Sequence, residues 1–187
     1  LRLPGIWSPY EAGIRAIIGQ QISVTAATGQ LKRLIQNYGS DHQPDNNSTP
    51  PSHVSAFSRK QKTSTQEPEL IKRFPTPKQL SNNTLDALKM PGARKQTIAS
   101  LSEYYQQSAQ DKSFSHELIS DEEWLAIKGV GPWTLNYAKM RGESDPDVLL
   151  VGDLGIKKAM EKNQSSFDSE TLAPWRSYLN MQLWSAL

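Results

Sequence analysis

The sequence predicts an all-α fold. Apolar residues recur at helical spacing in most segments, Ser, Thr and Pro stand where helices would begin, and alternating strand patterns are nearly absent. The chain has 187 residues, of which 36% are hydrophobic. This is enough for one domain, or for two small lobes that share a core, so we expect one domain over residues 1–187.

The first two helices are marked at both ends. Ser8-Pro9 supplies an N-cap and a proline for the first helical position, and this helix should run to about Ile18. It should break at residues 19–21. A second helix is predicted from Ser23 to Tyr38, where apolar side chains form one stripe.

The remaining helices are also predicted from capping residues and prolines. Their starts are expected at Thr76-Pro77, Thr84, Gly92, Ser120, Pro132, Asp153 and Pro174. The helix that begins at Gly92 should reach Gln107, and Gly142 should end the one that begins at Pro132. A brief extended run is predicted over residues 147–152.

Residues 40–69 differ from the rest of the chain in composition. They contain six serines and four prolines but only three apolar residues, Val54, Ala56 and Phe57. Such a segment cannot bury enough surface to offset the entropy lost on ordering. We therefore expect a flexible polar insertion here.

Composition excludes several classes of protein. The chain has no cysteine, which rules out a disulfide scaffold, a Cys-ligated zinc site and an iron–sulfur cluster. It has no apolar run of about 18 residues and no leader segment, so we expect an intracellular protein without a membrane partner. The first residue is Leu1 and the opening already resembles ordered structure, so we expect part of a longer protein.

The stretch from Leu125 to Ala138 carries the most specific pattern. Two short helices are joined by Gly129-Val130-Gly131, where the glycines allow a tight turn, and residues 120–142 therefore predict a helix-hairpin-helix motif. Amide groups at the start of its second helix suit a phosphate oxygen. Such a contact would be independent of DNA sequence. The alternative is a plain turn between helices.

The motifs resemble the helix-hairpin-helix DNA glycosylases, and most of all the inducible 3-methyladenine DNA glycosylase II branch. The resemblance rests on Leu-x-x-x-Gly-Val-Gly-Pro-Trp-Thr-x-x-Tyr-Ala, Arg-Gly and Asp-Val-x-Leu-x-x-Asp-x-x-Ile-Lys, on Ala-Gly-Ile-Arg-Ala-Ile-Ile-Gly-Gln-Gln-Ile-Ser, and on Pro-Trp-Arg-Ser-Tyr near the end. It covers nearly the whole chain except 40–69. It implies two helical lobes with a cleft between them and a monomer that acts on double-stranded DNA with a damaged base. Members of this branch usually carry a further N-terminal α/β lobe.

Asp153 is the residue that the resemblance aligns with the family's catalytic aspartate. Cleavage of an N-glycosidic bond builds positive charge on the sugar, which a carboxylate stabilises. An alkylated purine is already cationic and leaves readily, so one carboxylate can suffice. The alternative is that Asp153 only caps its helix, as most aspartates in this position do.

Three aromatic residues are expected to line the pocket for the base. Trp133 and Tyr137 are four apart on one helix face, and the resemblance places Trp184 opposite them. A cationic base would stack favourably on such rings. Bifunctional relatives have a catalytic lysine where Trp133 stands, so we expect no lyase activity. The other tryptophans, Trp7, Trp124 and Trp175, are assigned to core packing.

The resemblance also implies DNA contacts. The loop with Gln20 and Gln21 would enter the minor groove, where the family pattern has a leucine in place of Gln21; a polar wedge that bonds the orphaned base and a plain loop are equally good interpretations. The hairpin contacts are expected at Lys128, Gly129, Val130, Gly131 and Thr134.

We expect no required cofactor. By resemblance, the hairpin could hold a structural Na⁺ or K⁺ through the backbone carbonyls of Leu125, Ile127 and Gly129. The three histidines, at 42, 53 and 116, form no ligand cluster in the sequence.

Two other functions remain open. One is a non-catalytic helix-hairpin-helix DNA-binding module, which would need neither Asp153 nor the paired aromatics. The other is a glycosylase of the same fold that acts on oxidised or mismatched bases. If the protein is bacterial, we expect it in the cytoplasm, associated with the nucleoid.

Overall fold

The described part of the chain is helical. A computed structural model describes residues 2–41, 72–108, 120–162 and 170–186. Its helices, in chain order, are α1 (Pro9–Gly19), α2 (Val24–Tyr38), α3 (Pro77–Ser81), α4 (Gly92–Ser108), α5 (Asp121–Ala126), α6 (Pro132–Ala138), α7 (Leu154–Lys162) and α8 (Arg176–Ser185). A π-helical turn, Lys139–Glu143, continues α6. In these ranges the β pairing is limited to an isolated bridge between Asp41 and Lys72, so the all-α prediction is confirmed.

Three serines at predicted helix starts act as N-caps. The Ser8 hydroxyl accepts a hydrogen bond from the amide of Glu11 at 3.2 Å, and Ser23 caps α2 through the amide of Ala26 at the same distance. Ser120 caps α5 more loosely, at 3.5 Å. Each cap satisfies an amide that has no partner within its own helix.

Two predicted helix starts are wrong. No helix begins at Thr84, because Leu85 has a φ of +54° and turns its buried side chain into the core. The predicted end at Gly142 is right to within one residue, because the helix that begins at Pro132 continues as the π-helical turn to Glu143 and is capped by Ser144 in the left-handed conformation. The last helix begins at Arg176, two residues after Pro174.

The side chains pack into two clusters. The larger one surrounds α1 and contains Ile14, Ile17, Leu101 and Trp124, each almost completely buried. The smaller one lies between the π-helical turn, α7 and α8, and its buried members are Met140, Val148, Leu150, Ile156, Ala159 and Leu183. Because α6 packs on the first cluster and the turn that follows packs on the second, these two segments join the lobes.

The core prediction for the tryptophans holds only in part. Trp124 is fully buried, as expected. Trp7 is 97% exposed and Trp175 is 59% exposed, so their assignment to the core is wrong. Trp7 precedes the cap of α1 in an irregular segment, and Trp175 stands just before α8, where it packs edge-on against Tyr178.

The N-terminal end of α8 is fixed by an ion pair. Arg176 donates from Nε and Nη2 to the two carboxylate oxygens of Asp147, at 2.7 and 2.6 Å. These hydrogen bonds hold the pKa of the Asp147 carboxyl below its ordinary value. The buried Asn180, one turn further on, bonds the carbonyl of Val148 and the amide of Leu150. The segment that leads to Asp153 is therefore fastened to α8.

The chain segments on the two sides of the predicted insertion pair with each other. The amide of Arg73 donates to the carbonyl of Ser40 at 2.9 Å, next to the bridge between Asp41 and Lys72. The described chain ends on the two sides of this segment, Asp41 and Lys72, therefore lie side by side. Residues 42–71 lie outside the described part, so the flexibility expected of 40–69 stays a prediction.

Gly142 provides a test of how the lobes are joined. A Cβ at this position would lie 2.6 Å from Cα of Pro9, so the π-helical turn and α1 meet through backbone. Gly142→Ala should lower the free energy of unfolding by about 1–3 kcal/mol, since neither backbone can move aside easily. Chemical denaturation measures this.

The matched control is Gly29→Ala, inside α2, where a Cβ meets nothing within 4 Å. This change should instead stabilise the protein by about 0.5–1 kcal/mol, the usual gain of alanine over glycine in a helix. Equal effects of the two substitutions would contradict the close crossing.

Candidate active site

The hairpin loop, residues 127–131, connects α5 to α6. Gly129 has a φ of +94°, in the left-handed region, and a Cβ here would collide with the side chain of Thr97. Val130 is buried, whereas Lys128 and Gly129 are exposed. The loop is thus anchored by Val130, while Lys128 and Gly129 are exposed to the solvent.

Two side chains from distant parts of the sequence hold this loop. The Thr97 hydroxyl in α4 lies 2.9 Å from the carbonyl oxygen of Lys128 and 3.0 Å from that of Ala93 in its own helix, and its single hydrogen bonds one of them at a time. The Gln20 amide nitrogen lies 3.1 Å from the carbonyl oxygen of Gly129 and 2.9 Å from Oγ1 of Thr134. An ion pair between Lys139 and Asp121 also ties α5 to the segment after α6. The hairpin is therefore braced on both sides.

Asp153 stands at the first turn of α7 and accepts three hydrogen bonds. Its Oδ1 accepts from the amide of Ile156 at 3.0 Å and from Nε1 of Trp184 at 3.0 Å. Its Oδ2 accepts from Nε1 of Trp133 at 3.1 Å. The side chain thus caps its helix, as the alternative interpretation expected, and it also accepts a hydrogen bond from an indole on each oxygen. Capping alone explains only one of these bonds.

The three predicted aromatic residues meet around this carboxylate. Trp133 and Tyr137 stack with centroids 5.4 Å apart and planes 29° from parallel, and Tyr137 and Trp184 lie 6.5 Å apart. The guanidinium of Arg141 lies over the Tyr137 ring at 5.8 Å. All three rings are partly exposed. Tyr137 thus has rings or a cation on several sides, and Trp133 and Trp184 hold the carboxylate by their edges.

A cleft of about 1180 Å³ opens beside Asp153. One wall comes from the end of α1, the interhelix loop (residues 20–23) and the first half of α2. The opposite wall comes from the aromatic group and residues 152–155. Among the described lining residues the acidic and basic side chains are Asp153 and Arg15, and the Arg15 guanidinium is paired with Glu11 at 2.6 Å. This leaves Asp153 as the unpaired charge of the cleft.

The structure separates the two glutamines of the interhelix loop. Gln21 is exposed, has a φ of +59° and lines the cleft. Gln20 also lines it, but its amide nitrogen is committed to the hairpin. The Gln20 amide nitrogen therefore contacts the protein, and the expected contacts of Gln20 and Gln21 with DNA stay predictions.

The carbonyls expected to hold a monovalent cation are only partly free. Those of Ile127 and Gly129 accept hydrogen bonds from the amide of Val130 and from Gln20, respectively. Each of these two carbonyl oxygens keeps a second lone pair that could face an ion. The cation site stays a prediction.

Other kinds of site are not found in the described ranges. These ranges hold no group of three or more His, Asp or Glu side chains that could bind a metal ion, and the three histidines lie outside them. No described helix is both long and apolar enough to cross a membrane.

Sequence reasoning missed two features of the site. Thr97 braces the hairpin from a helix 31 residues before Lys128, and no local pattern announces this contact. Ile22, Val24 and Leu154 line the cleft with apolar side chains that are 36%, 84% and 70% exposed. Their exposure could not be predicted, because apolar residues at helix starts are usually buried.

Comparison with known proteins agrees with this geometry. The chain is 31% identical to DNA-3-methyladenine glycosylase 2 of Escherichia coli over 98% of its own length and 60% of that protein. It is also 31% identical to a Mycobacterium tuberculosis protein described as a bifunctional transcriptional activator/DNA repair enzyme AlkA, over its whole length and 35% of that protein. The chain thus spans between about a third and three fifths of these relatives. No family model matches it.

The fold has solved counterparts. A Schizosaccharomyces pombe 3-methyladenine DNA glycosylase in complex with abasic DNA superposes with a TM-score of 0.65 at 19% identity, over 99% of this chain and 83% of the other. The hairpin and the carboxylate beside the cleft are consistent with the sequence relatives and with this fold. The chain is thus similar in sequence to a DNA-3-methyladenine glycosylase 2 and to a DNA repair enzyme AlkA, and it shares its fold with a solved 3-methyladenine DNA glycosylase.

Proposed function

We propose that this chain is a monofunctional DNA glycosylase that removes alkylated purines, such as 3-methyladenine, from double-stranded DNA in base excision repair. The observation that carries the proposal is Asp153, whose two oxygens are each bonded by an indole at the wall of a cleft. The names of the sequence relatives support the substrate class.

The chemistry needs one carboxylate. When the glycosidic bond breaks, its electron pair goes to the base, which leaves neutral because alkylation had made it cationic. The sugar is left with the positive charge, which Asp153 stabilises until water adds at C1′ and loses a proton. A site with no second carboxyl group in the described part of its lining suits a substrate whose leaving group needs no acid.

The two indoles orient this carboxylate. An indole N–H can only donate, so Trp133 and Trp184 each fix one oxygen; with the amide of Ile156 also on Oδ1, one lone pair of Oδ2 is left for the sugar. Because the donors come from α6 and α8, the carboxylate cannot rotate without breaking a bond to one of them. This preorganisation is what electrostatic stabilisation of a transition state requires.

The damaged base must rotate out of the DNA duplex to reach this carboxylate. The cleft of about 1180 Å³ has room for an extruded nucleotide, and its aromatic wall offers ring surfaces to a cationic base. The hairpin loop, with Lys128 exposed, would bind the phosphate backbone without reading the sequence. Gln21, at the edge of the same cleft, would enter the space left in the duplex.

The arrangement favours an enzyme over a pure binding module. A module that only held phosphates would use the hairpin and would gain nothing from a carboxylate and three aromatic rings inside a cleft. In the same proposal the protein acts as a monomer and without a required cofactor. If the protein is bacterial, it would work in the cytoplasm, on nucleoid DNA, with Na⁺ or K⁺ at the hairpin carbonyls.

Asp153→Asn should abolish base release while duplex affinity changes by no more than a few-fold. Asparagine keeps the size and the capping ability but removes the charge, so the single-turnover rate should fall at least ~10²-fold. Free bases released from methylated duplex DNA are the readout. Asp86→Asn is the control, since Asp86 is exposed and outside the cleft. Excision by Asp153→Asn at the wild-type rate would mean that the carboxylate is structural.

The products should be a free base and an intact abasic strand. Lyase chemistry needs an amine that forms a Schiff base, and no described residue that lines the cleft is a lysine. Borohydride should therefore trap no covalent complex with DNA. Trp133→Lys should lose excision without gaining efficient lyase activity, because it removes an indole bonded to Asp153. Strand nicking together with an adduct mapped to a lysine would refute the monofunctional assignment.

A further inference from the structure

The side chain of Gln20 links two parts of the site that are far apart in the sequence. Its amide nitrogen lies 3.1 Å from the carbonyl oxygen of Gly129 and 2.9 Å from Oγ1 of Thr134. Gly129 belongs to the hairpin loop, and Thr134 is in the first turn of α6. Gln20 itself is the first residue of the interhelix loop.

The chemistry of the link fits a primary amide. One nitrogen carries two N–H groups, and here it faces two oxygens, so each hydrogen has an acceptor. The carbonyl of Gly129 can only accept, which fixes the nitrogen rather than the oxygen of the amide on this side. Thr134 is 2% exposed, so the link is shielded from water at this end.

The interhelix loop has few other firm contacts. Its backbone bonds are long: the amide of Gln20 lies 3.4 Å from the carbonyl of Ile17, and the amide of Ile22 lies 3.5 Å from that of Gly19. Ser23 caps α2 at 3.2 Å, which fixes the far end of the loop. At the end of the loop next to α1, the two hydrogen bonds of the Gln20 side-chain amide are the shortest found among the described residues.

We propose that Gln20 is a positioning residue that couples the hairpin to the interhelix loop. The hairpin and the segment 20–23 then move as one body, so binding of the DNA backbone at the hairpin brings Gln21 to a fixed place in the duplex. This inference rests on the proposed function, since it gives the two surfaces a common DNA ligand. It replaces the expected DNA contact of Gln20 by a contact within the protein.

The coupling extends to the catalytic group. Thr134 follows Trp133, whose indole bonds Asp153. A shift of the interhelix loop would therefore act at the same helical turn that holds the carboxylate. A displacement of about 1 Å, even in a segment that does not touch the reacting atoms, can lower the rate ~10²-fold, because reacting groups must lie in a near-attack geometry.

The test compares Gln20→Met with Thr97→Val. Methionine matches glutamine in length but donates no hydrogen bond. Thr97→Val removes the other brace of the hairpin, at the carbonyl of Lys128, and does not touch the interhelix loop. Thermal melts of both variants verify folding. Gln20→Glu, which keeps the shape and loses the amide donor, replaces Gln20→Met if methionine prevents folding.

The first readout is binding, which does not depend on catalysis. Affinity is measured for an intact duplex and for one with an abasic-site analogue, in which the gap for the loop already exists. The wild type should prefer the abasic duplex. Thr97→Val should weaken both affinities by the same factor and keep the preference, whereas Gln20→Met should lose most of the preference while its affinity for intact duplex changes less than threefold.

The second readout is the single-turnover rate of base release from methylated duplex. Gln20→Met should lower this rate ~10-fold or more, and Thr97→Val should lower it less once DNA is saturating. A Gln20→Met variant with the wild-type preference and rate overturns the coupling, as does an equal loss of preference in both variants. A wild type that binds abasic duplex preferentially but releases no base would overturn the proposed function alone, and the binding readout would still decide the role of Gln20.

Discussion

The structure depends on one carboxylate held by three helices. Asp153 accepts hydrogen bonds from Trp133 in α6, from Trp184 in α8 and from the first turn of its own helix, α7. A carboxylate with donors on both oxygens has one orientation, and that orientation can be kept only if the three helices keep their places. The lobes, the π-helical turn and the ion pair at the start of α8 can all be understood as means of meeting this condition.

The two lobes contribute different properties to the site. The larger cluster around α1 supplies a rigid wall, and the close backbone crossing at Gly142 fixes the segment that carries Trp133 against it. The smaller cluster sets α7 against α8 and so sets Asp153 against Trp184. The cleft lies where these two bodies face each other, so substrate would enter between a wall built by packing and a wall built by hydrogen bonds.

Much of this could be predicted from the sequence, because local chemistry decides it. The caps at Ser8 and Ser23, the glycine turn of the hairpin and the helix-opening place of Asp153 each follow from a few neighbouring residues. Long-range contacts decide the rest. The residues near Gln20 do not indicate that its amide bonds a loop 109 residues later in the chain. The residues near Trp7 likewise do not indicate that its side chain is left exposed among the described elements. The π-helical turn likewise lies against α1 at Gly142, and the helical periodicity of residues 132–143 does not indicate this contact.

The most direct test of the account removes the indole donors and keeps the rings. Trp133→Phe and Trp184→Phe, alone and together, are compared in single-turnover release of bases from methylated duplex DNA, with duplex affinity measured in parallel. A hydrogen bond to a charged group contributes about 1.5–3 kcal/mol, so each change should slow release ~10- to 100-fold while affinity stays within a few-fold. A double variant that releases bases at the wild-type rate would contradict the claim that the carboxylate held by these indoles is the catalytic group.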